Sequence, residues 1–270
     1  MSLKKIIKNM CEMSYKEVVS DYDEYHIGIW DNHPLPKRAD IFSSWIEEGT
    51  TLLDIGCGDG TITEYLKEKN NLTIFGMDMI DVPKKTKFPF KLADLDAKKI
   101  EINGQYDNIL MSDVIEHLKF PHNILVEASK HTNNLMVSIP NGAWWVYRLQ
   151  LFFGHVQRES FTHLHSWSIK DFKQFCNEIG LEVTKYDIER PNSLIGRFFV
   201  AIFPNVFGNA ISYSVKRKEN FEEIIKKLSP KSKDFDFKDT LKEKREIAFI
   251  GKDPGRRVSL NSPQTKEAKE

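Results

Sequence analysis

The sequence is short of cysteine, of long apolar runs and of net charge. Three cysteines occur in 270 residues, Cys11, Cys57 and Cys176, far apart from one another. No spacing pairs them for a disulfide framework or a zinc site. Cys57 and Cys176 read as small buried residues of a reducing compartment. No segment offers about twenty uninterrupted apolar residues, so no transmembrane helix is expected. The opening MSLKKIIKNM lacks the apolar run of a signal peptide, and the expectation is a soluble cytoplasmic protein. Lys plus Arg and Asp plus Glu both number 39, for a net charge of +0. That removes the global basic field that draws proteins onto nucleic acid without sequence preference; no nucleic-acid partner is expected. Internal repeats are absent.

What is present is rhythm. Short β-rich runs recur at Thr50–Ile55, Leu72–Met77, Phe88–Ala93, Asp107–Ser112 and Leu135–Ile139, with helical patterns at Gly60–Lys69 and Asn123–His131 between them. Strands alternating with helices imply βαβ units and a mainly parallel sheet. Right-handed crossovers then gather the loops at the strands' C-terminal ends on one rim, where ligands bind. A helix is expected near 34–47 and another over Ser168–Ile179, with Ser168 as N-cap, Asp171 at the capping-box offset and Gly180 as stop. Glu182–Ile188 and Ala210–Lys216 read as two closing strands, and Phe221–Leu228 as one more helix. Residues 1–35 form an N-terminal extension, 36–218 the domain, and 219–270 a helix followed by a charged tail expected to be disordered.

The chemistry-bearing signal lies at the end of the first strand, in Asp54-Ile55-Gly56-Cys57-Gly58-Asp59-Gly60. Glycine at alternate positions permits a tight turn and close approach of a ligand to the backbone. Dinucleotide-binding proteins share this arrangement, but Thr61 stands where their third glycine belongs. Asp54 precedes the first glycine by two positions. Asp78 ends the next strand, followed by Met79, and can accept from ribose hydroxyls. S-adenosylmethionine carries no phosphate and needs no basic cradle; its ammonium and sulfonium suit a carboxylate such as Asp54. After the third strand, Asp94 is placed to accept from an adenine amino group, with Leu95 against the ring.

With these residues in place, the chain resembles the class I S-adenosylmethionine-dependent methyltransferases over about residues 36–218. The resemblance rests on LLDIGCGDG, Asp78, ADL at 93–95, YDNILMSDVIEHL at 106–118, SIPN at 138–141 and THLHSWSIKDFKQFCNEIGLEV at 162–183. Within that group it looks most like the MetW-type proteins, through SIPNGAWWVYRLQLFFGH, HSWSIKDFKQFC and FPNVFGNAISY. The resemblance implies an α/β, Rossmann-like fold whose seven-stranded sheet is parallel except for its last strand. It also implies a cofactor site lined by Asp54, Gly56, Cys57, Gly58, Gly60, Asp78, Met79, Asp94, Leu95 and Ser112.

Asp113-Val114-Ile115-Glu116-His117 follows the fourth strand at the same rim. A similar E-x-x-E-H element, joined by a later His, holds a metal in small-RNA 2′-O-methyltransferases. Here Asp113, Glu116, His117 and His163 would be the ligands of a divalent cation. Asp113 is one methylene shorter than the glutamate of that pattern. The other reading gives Glu116 to positioning, and makes His117 or His163 the group that takes the acceptor's proton. The function expected is methyl transfer, to oxygen rather than nitrogen, of a small-molecule, glycan or lipid-linked acceptor. Two alternatives stand beside it: a MetW-like regulatory partner of an acyltransferase, and an RNA 2′-O-methyltransferase. A homodimer or a partner enzyme is compatible with either.

Two apolar stretches remain. Trp144, Trp145, Tyr147, Phe152 and Phe153 are expected to pack in the core rather than to form a substrate lid. Leu194–Phe207 is expected to be an amphipathic helix buried on the sheet or at a dimer interface. The alternatives are a membrane-contacting helix and the wall of an apolar site.

Overall fold

The computed structural model describes residues 35–79, 88–97, 99–154, 162–189, 191 and 193–228. Cys11, residues 1–34 of the expected extension and the expected tail from Ser229 lie outside them. The chain divides into two compact units, Met1–Ile225 and Lys226–Glu270, and the sheet belongs to the first.

Seven strands form one sheet: β1 (Thr51–Ile55), β2 (Thr73–Asp78), β3 (Phe90–Leu92), β4 (Asn108–Ser112), β5 (Leu135–Pro140), β6 (Leu181–Ile188) and β7 (Ala210–Arg217). Their order is β3-β2-β1-β4-β5-β7-β6. β7 runs antiparallel to β5 and β6, and the other pairs are parallel. This is the sheet the resemblance implies. The chain order reverses between β1 and β4, the kind of switch point where α/β sheets open a crevice.

Among the described residues the helices are α1 (Arg38–Ser43), α2 (Thr61–Asn70), α3 (Pro121–Lys130), α4 (Trp145–Phe152), α5 (Ile169–Glu178), α6 (Leu194–Ile202), α7 (Pro204–Phe207) and α8 (Phe221–Leu228). The central strands are covered on both faces, which is why they read as unbroken apolar runs. Alternate strand residues serve opposite faces. Leu52, Ile74, Leu110 and Met136 join Phe42 of α1 and Leu66 of α2. Leu53, Ile109, Met111, Leu135 and Val137 join Ile124 and Leu125 of α3 and Phe172 of α5.

Local signals explain the helix ends. Ser168 Oγ accepts from the Asp171 N–H and Asp171 Oδ2 from the Ser168 N–H, both at 3.2 Å, completing the expected capping box. Gly180 follows α5 with φ of +79°, where a side chain would also press on Phe221. Asn70, at the end of α2, donates to the Ser43 and Ile46 carbonyls at 3.0 Å and ties α1 down.

Two expectations are corrected. Of the Trp144–Phe153 aromatics only Tyr147 is buried, while Trp145, Phe152 and Phe153 are exposed. α6 does form between β6 and β7, but it is not buried on the sheet: Val200 turns inward and Leu194, Ile195, Phe198 and Ile202 stay exposed. Pro204 cannot continue the α6 ladder and starts the separate turn α7. Cys57 and Cys176 are buried, as expected. No helix among the described residues is long and apolar enough to cross a membrane.

The acid limit of this fold follows from its carboxylates. Thr51 donates its N–H and hydroxyl to Asp107 Oδ2 at 2.8 and 2.7 Å and holds that carboxyl below its ordinary 3.8. Hydrogen bonds from Lys69 and Tyr65 lower Asp40 in the same way. A depressed folded-state pKa contributes stability that is complete above the unfolded pKa and is lost as pH falls through the folded one. Urea midpoints are therefore expected to be level between about pH 7 and 5 and to fall below about pH 4. Asp107→Asn should shrink that acid drop; an unchanged acid drop in the variant refutes the assignment.

Candidate active site

β1 delivers Asp54 to the rim and the chain turns at once. The Gly56 N–H donates to the Met77 carbonyl at 2.7 Å, and Gly58 donates to Asp78 Oδ2 at 2.8 Å. The turn is thus hung on the end of β2. Gly56, Gly58 and Gly60 all have positive φ. At Gly56 an added Cβ would lie 2.3 Å from Val114 Cγ2. The missing side chain there admits Val114, not a ligand, and packs the glycine turn directly against the segment after β4. Asp54 is 2 % exposed and accepts from Thr63 Oγ1 at 2.5 Å. Asp59 accepts the Thr61 N–H at 2.9 Å and so caps the start of α2. Asp54, Asp59 and Asp78 are all buried, and residues 54–61 contain no Lys or Arg. This set of acceptors suits a cationic ligand and supplies no side-chain cation to a phosphate.

The other expected cofactor residues divide. Met79 is exposed at the end of β2. Asp94 accepts from the Asp96 N–H at 2.9 Å, an Asx turn. Leu95 does not face an open site: its side chain is buried in the main core cluster with Met77 and Ile100, because the turn at Asp94 swings the next side chain under the sheet edge. Asp96 Oδ1 instead receives the Lys119 N–H at 2.7 Å, just ahead of α3. Ser112 ends β4 at the rim, where its hydroxyl meets Ser138 Oγ at 3.0 Å.

An element that sequence reasoning missed sits beside Ser112. Arg38, at the start of α1, donates from Nε to Ser112 Oγ at 3.1 Å and from Nη1 to Glu189 Oε1 at 2.8 Å. Its Nη2 pairs with Asp113 Oδ2. Burial alone would lower the Arg38 pKa, but Asp113 and Glu189, with Glu116 further off, outweigh it and raise it. Asp113 is further fixed by Ser138, whose hydroxyl donates to Oδ1 at 3.2 Å and whose carbonyl accepts the Asp113 N–H at 3.1 Å. Asp113 holds φ of +54°, a left-handed conformation rare outside glycine and Asn or Asp. No local pattern announces this network: Arg38 is 74 to 151 residues from its partners, and an arginine at a helix start reads as solvated.

The expected four-residue metal set is therefore corrected to three. Asp113 is taken up by Arg38. Glu116, His117 and His163 place their ligand atoms within 4.8 Å of one another. A 3-10 turn over Ile115–His117 presents the first two. The third arrives because the Leu164 and His165 N–H groups donate to the Glu116 carbonyl at 2.7 and 3.1 Å. The His117 and His163 rings meet edge to face, 4.6 Å between centroids. Glu116 is 1 % exposed.

A second buried group positions this strand end. Asn141, directly after β5, donates to the Asn205 and Gly208 carbonyls at 3.0 and 2.7 Å. Its Oδ1 accepts the Ala143 N–H at 3.0 Å. Gly142 donates to the Trp167 carbonyl at 2.9 Å. The His163–Trp167 stretch is thereby strapped to both β5 and the 3-10 turn.

Arg38→Met should lower unfolding stability by about 2–4 kcal/mol, since it leaves two half-buried carboxylates without their cation. Arg38→Lys should recover only part, because one ammonium cannot serve three acceptors in a fixed fork. Urea denaturation at neutral pH reads both; losses below about 0.5 kcal/mol, the scatter of ordinary surface changes, would remove the network from its structural role.

Known proteins agree with this architecture. The chain is 25% identical over 123 residues to (S)-tetrahydroprotoberberine N-methyltransferase of Eschscholzia californica, across 44% of this chain and 33% of that protein. It is 26% identical over 115 residues to the ubiquinone biosynthesis O-methyltransferase of Pseudomonas paraeruginosa, across 36% of this chain and 49% of that protein. It thus spans a third to a half of the length of these curated relatives. Among solved structures, the 1,6-didemethyltoxoflavin-N1-methyltransferase of Burkholderia thailandensis shares the fold at a TM-score of 0.52 and 10% identity, over 81% of this chain and 92% of that one. A family model described as a methyltransferase domain matches residues 30–186, more than half of the chain, and the chain belongs to that family.

Proposed function

We propose that this protein is an S-adenosylmethionine-dependent methyltransferase acting on an oxygen of a small-molecule, glycan or lipid-linked acceptor, with residues 36–218 as its working domain. The observation that carries the reading is the glycine turn: three buried carboxylates, Asp54, Asp59 and Asp78, with no cation among residues 54–61. Asp59 is spent on capping α2. Asp54 is then assigned to the ammonium of the cofactor, Asp78 to its ribose and Asp94 to its adenine, with the backbone of Gly56–Gly60 beneath. Bound there, S-adenosylmethionine supplies an electrophilic methyl group for in-line displacement.

The chain's own part is positioning, exclusion of water and proton transfer. Val114 brings the rim against the glycine turn. His117 and His163 converge on one point of that rim and take the proton of the acceptor hydroxyl. Glu116 acts on them by position. The paired imidazoles suit an acceptor that loses a proton as the methyl group arrives, a hydroxyl rather than a tertiary amine, which carries none.

Calorimetry with S-adenosylmethionine tests the first half. One site per chain is expected, with Asp78→Asn weakening it about 10- to 100-fold. No heat at about 1 mM cofactor overturns the reading. The second half is tested by transfer of a labelled methyl group into a metabolite and lipid extract. His117→Ala and His163→Ala should abolish transfer yet bind cofactor as before, and a chelator should leave transfer unchanged. Loss on chelation with recovery on added manganese would assign Glu116, His117 and His163 to a metal instead.

A further inference from the structure

Two helices that the chemistry above does not use carry their apolar side chains outward. On α6, Leu194, Ile195, Phe198, Phe199 and Ile202 are exposed, Leu194 by 80%. They recur at the spacing of one helix face and cover about 140° of its circumference. Val200, on the opposite side, is the buried anchor. On α4, Phe152 is 82% exposed. The two stripes are continuous: Trp145 of α4 lies 6.4 Å from Phe207, and Phe207 lies 4.9 Å from Phe199 of α6. Soluble single chains seldom leave a joined aromatic and aliphatic surface of this kind in water.

The charges carried by the two apolar stretches have one sign. Residues 141–154 contain one charged side chain, Arg148, and residues 191–209 contain one, Arg197; neither stretch has an acid. Both arginines are exposed. Arg197 stands at the margin of the α6 stripe, about 60° from Leu194 around the helix. Lys170 and Lys173 of α5 line the groove that runs to Pro204 and Asn205 at the foot of α7. Asp171 between them is engaged by the Ser168 cap.

We infer that α4 and α6 form a docking face for an anionic lipid surface. A stripe of Leu, Ile and Phe flanked by arginines is the composition of a helix that lies in the membrane interface, its apolar side chains at the acyl boundary and its cations among the phosphates. Trp145, half exposed at the junction of the two helices, is the residue type that settles at headgroup level. Nine residues of α6 are too few to span a bilayer, so the contact is peripheral. A second copy of the chain fits the same face less well. A two-fold pair would set this patch against itself, and the cations of both copies would meet with no acid to answer them.

Docking would also have a direction. α4 begins four residues after Asn141, and the same Asn141 holds the carbonyls of Asn205 and Gly208. Leu164, exposed, follows His163 in the chain. The apolar face therefore starts at the rim of the sheet that bears His117 and His163.

The inference is tested with the full chain and sedimenting vesicles, without any methyl transfer, so its failure is separate from that of the proposed activity. Vesicles of phosphatidylcholine mixed with phosphatidylglycerol are expected to carry the protein into the pellet. Vesicles of phosphatidylcholine alone should bind about tenfold less. Ile195→Ser with Phe198→Ser, at exposed sites, should cost at least about tenfold in affinity with an unchanged melting midpoint and circular dichroism. Arg148→Glu with Arg197→Glu should abolish the preference for the anionic vesicles. Equal binding to both vesicles, no binding to either, or serine and glutamate variants that bind like the parent would each overturn the inference. A parent dimer in light scattering that the serine variant splits, without vesicle binding, would hand the face to a second copy.

Discussion

The Arg38 guanidinium is the constraint on which the rim depends. It joins α1, the end of β4 and Glu189 beyond β6, and through Ser138 it reaches β5. A half-buried guanidinium is tolerated only with its donors answered. Satisfying them draws Asp113 out of the extended path of β4 into φ of +54°. That turn has two consequences. Val114 drops into the space that Gly56 leaves, locking the glycine turn to β4. The next three residues wind into the 3-10 turn that presents Glu116 and His117. The acid that resembled a metal ligand is thus the hinge that orients the residues beyond it.

Much of this was legible in the sequence because it is local or repetitive. The strands of the central sheet are short apolar runs, since both of their faces are covered, and each was placed to within a residue or two. β3 was the weaker reading: six residues, Phe88–Ala93, were expected and three, Phe90–Leu92, pair in the sheet, because an edge strand with Lys91 and Leu92 exposed has no burial pattern to mark its ends. The Ser168 and Asp171 capping box lies within four residues and needed no tertiary information.

What was not legible is long-range or two-faced. Arg38 gives no sign in sequence that its partners lie after β4 and β6. Asn141 gives no sign in sequence of the groups it meets, yet it is fully buried and its side chain staples three backbone groups. Leu95 was placed by its neighbour Asp94, and a single Asx turn sent its side chain the other way. The aromatic stretches failed for a different reason. Hydrophobicity states that a face wants to leave water, not what covers it. α4 and α6 are apolar enough for a core, but each has only one side chain, Tyr147 and Val200, that finds one.

These two misreadings share a cause. The sheet's helix-bearing faces are already closed by α1 and α2 on one side and α3 and α5 on the other. α4 after β5 and α6 after β6 have no open sheet face left to cover and stand at the C-terminal rim. There, polar backbone ends require partners, which Asn141 supplies, while the helices themselves are free to differ in surface. The fold therefore separates its tasks in space: carboxylates and imidazoles are held by a buried polar network that tolerates little change. The apolar helices are anchored through Tyr147 and Val200 and through the loop that Asn141 holds, so their outer faces can be set by whatever meets the rim without disturbing the site beneath.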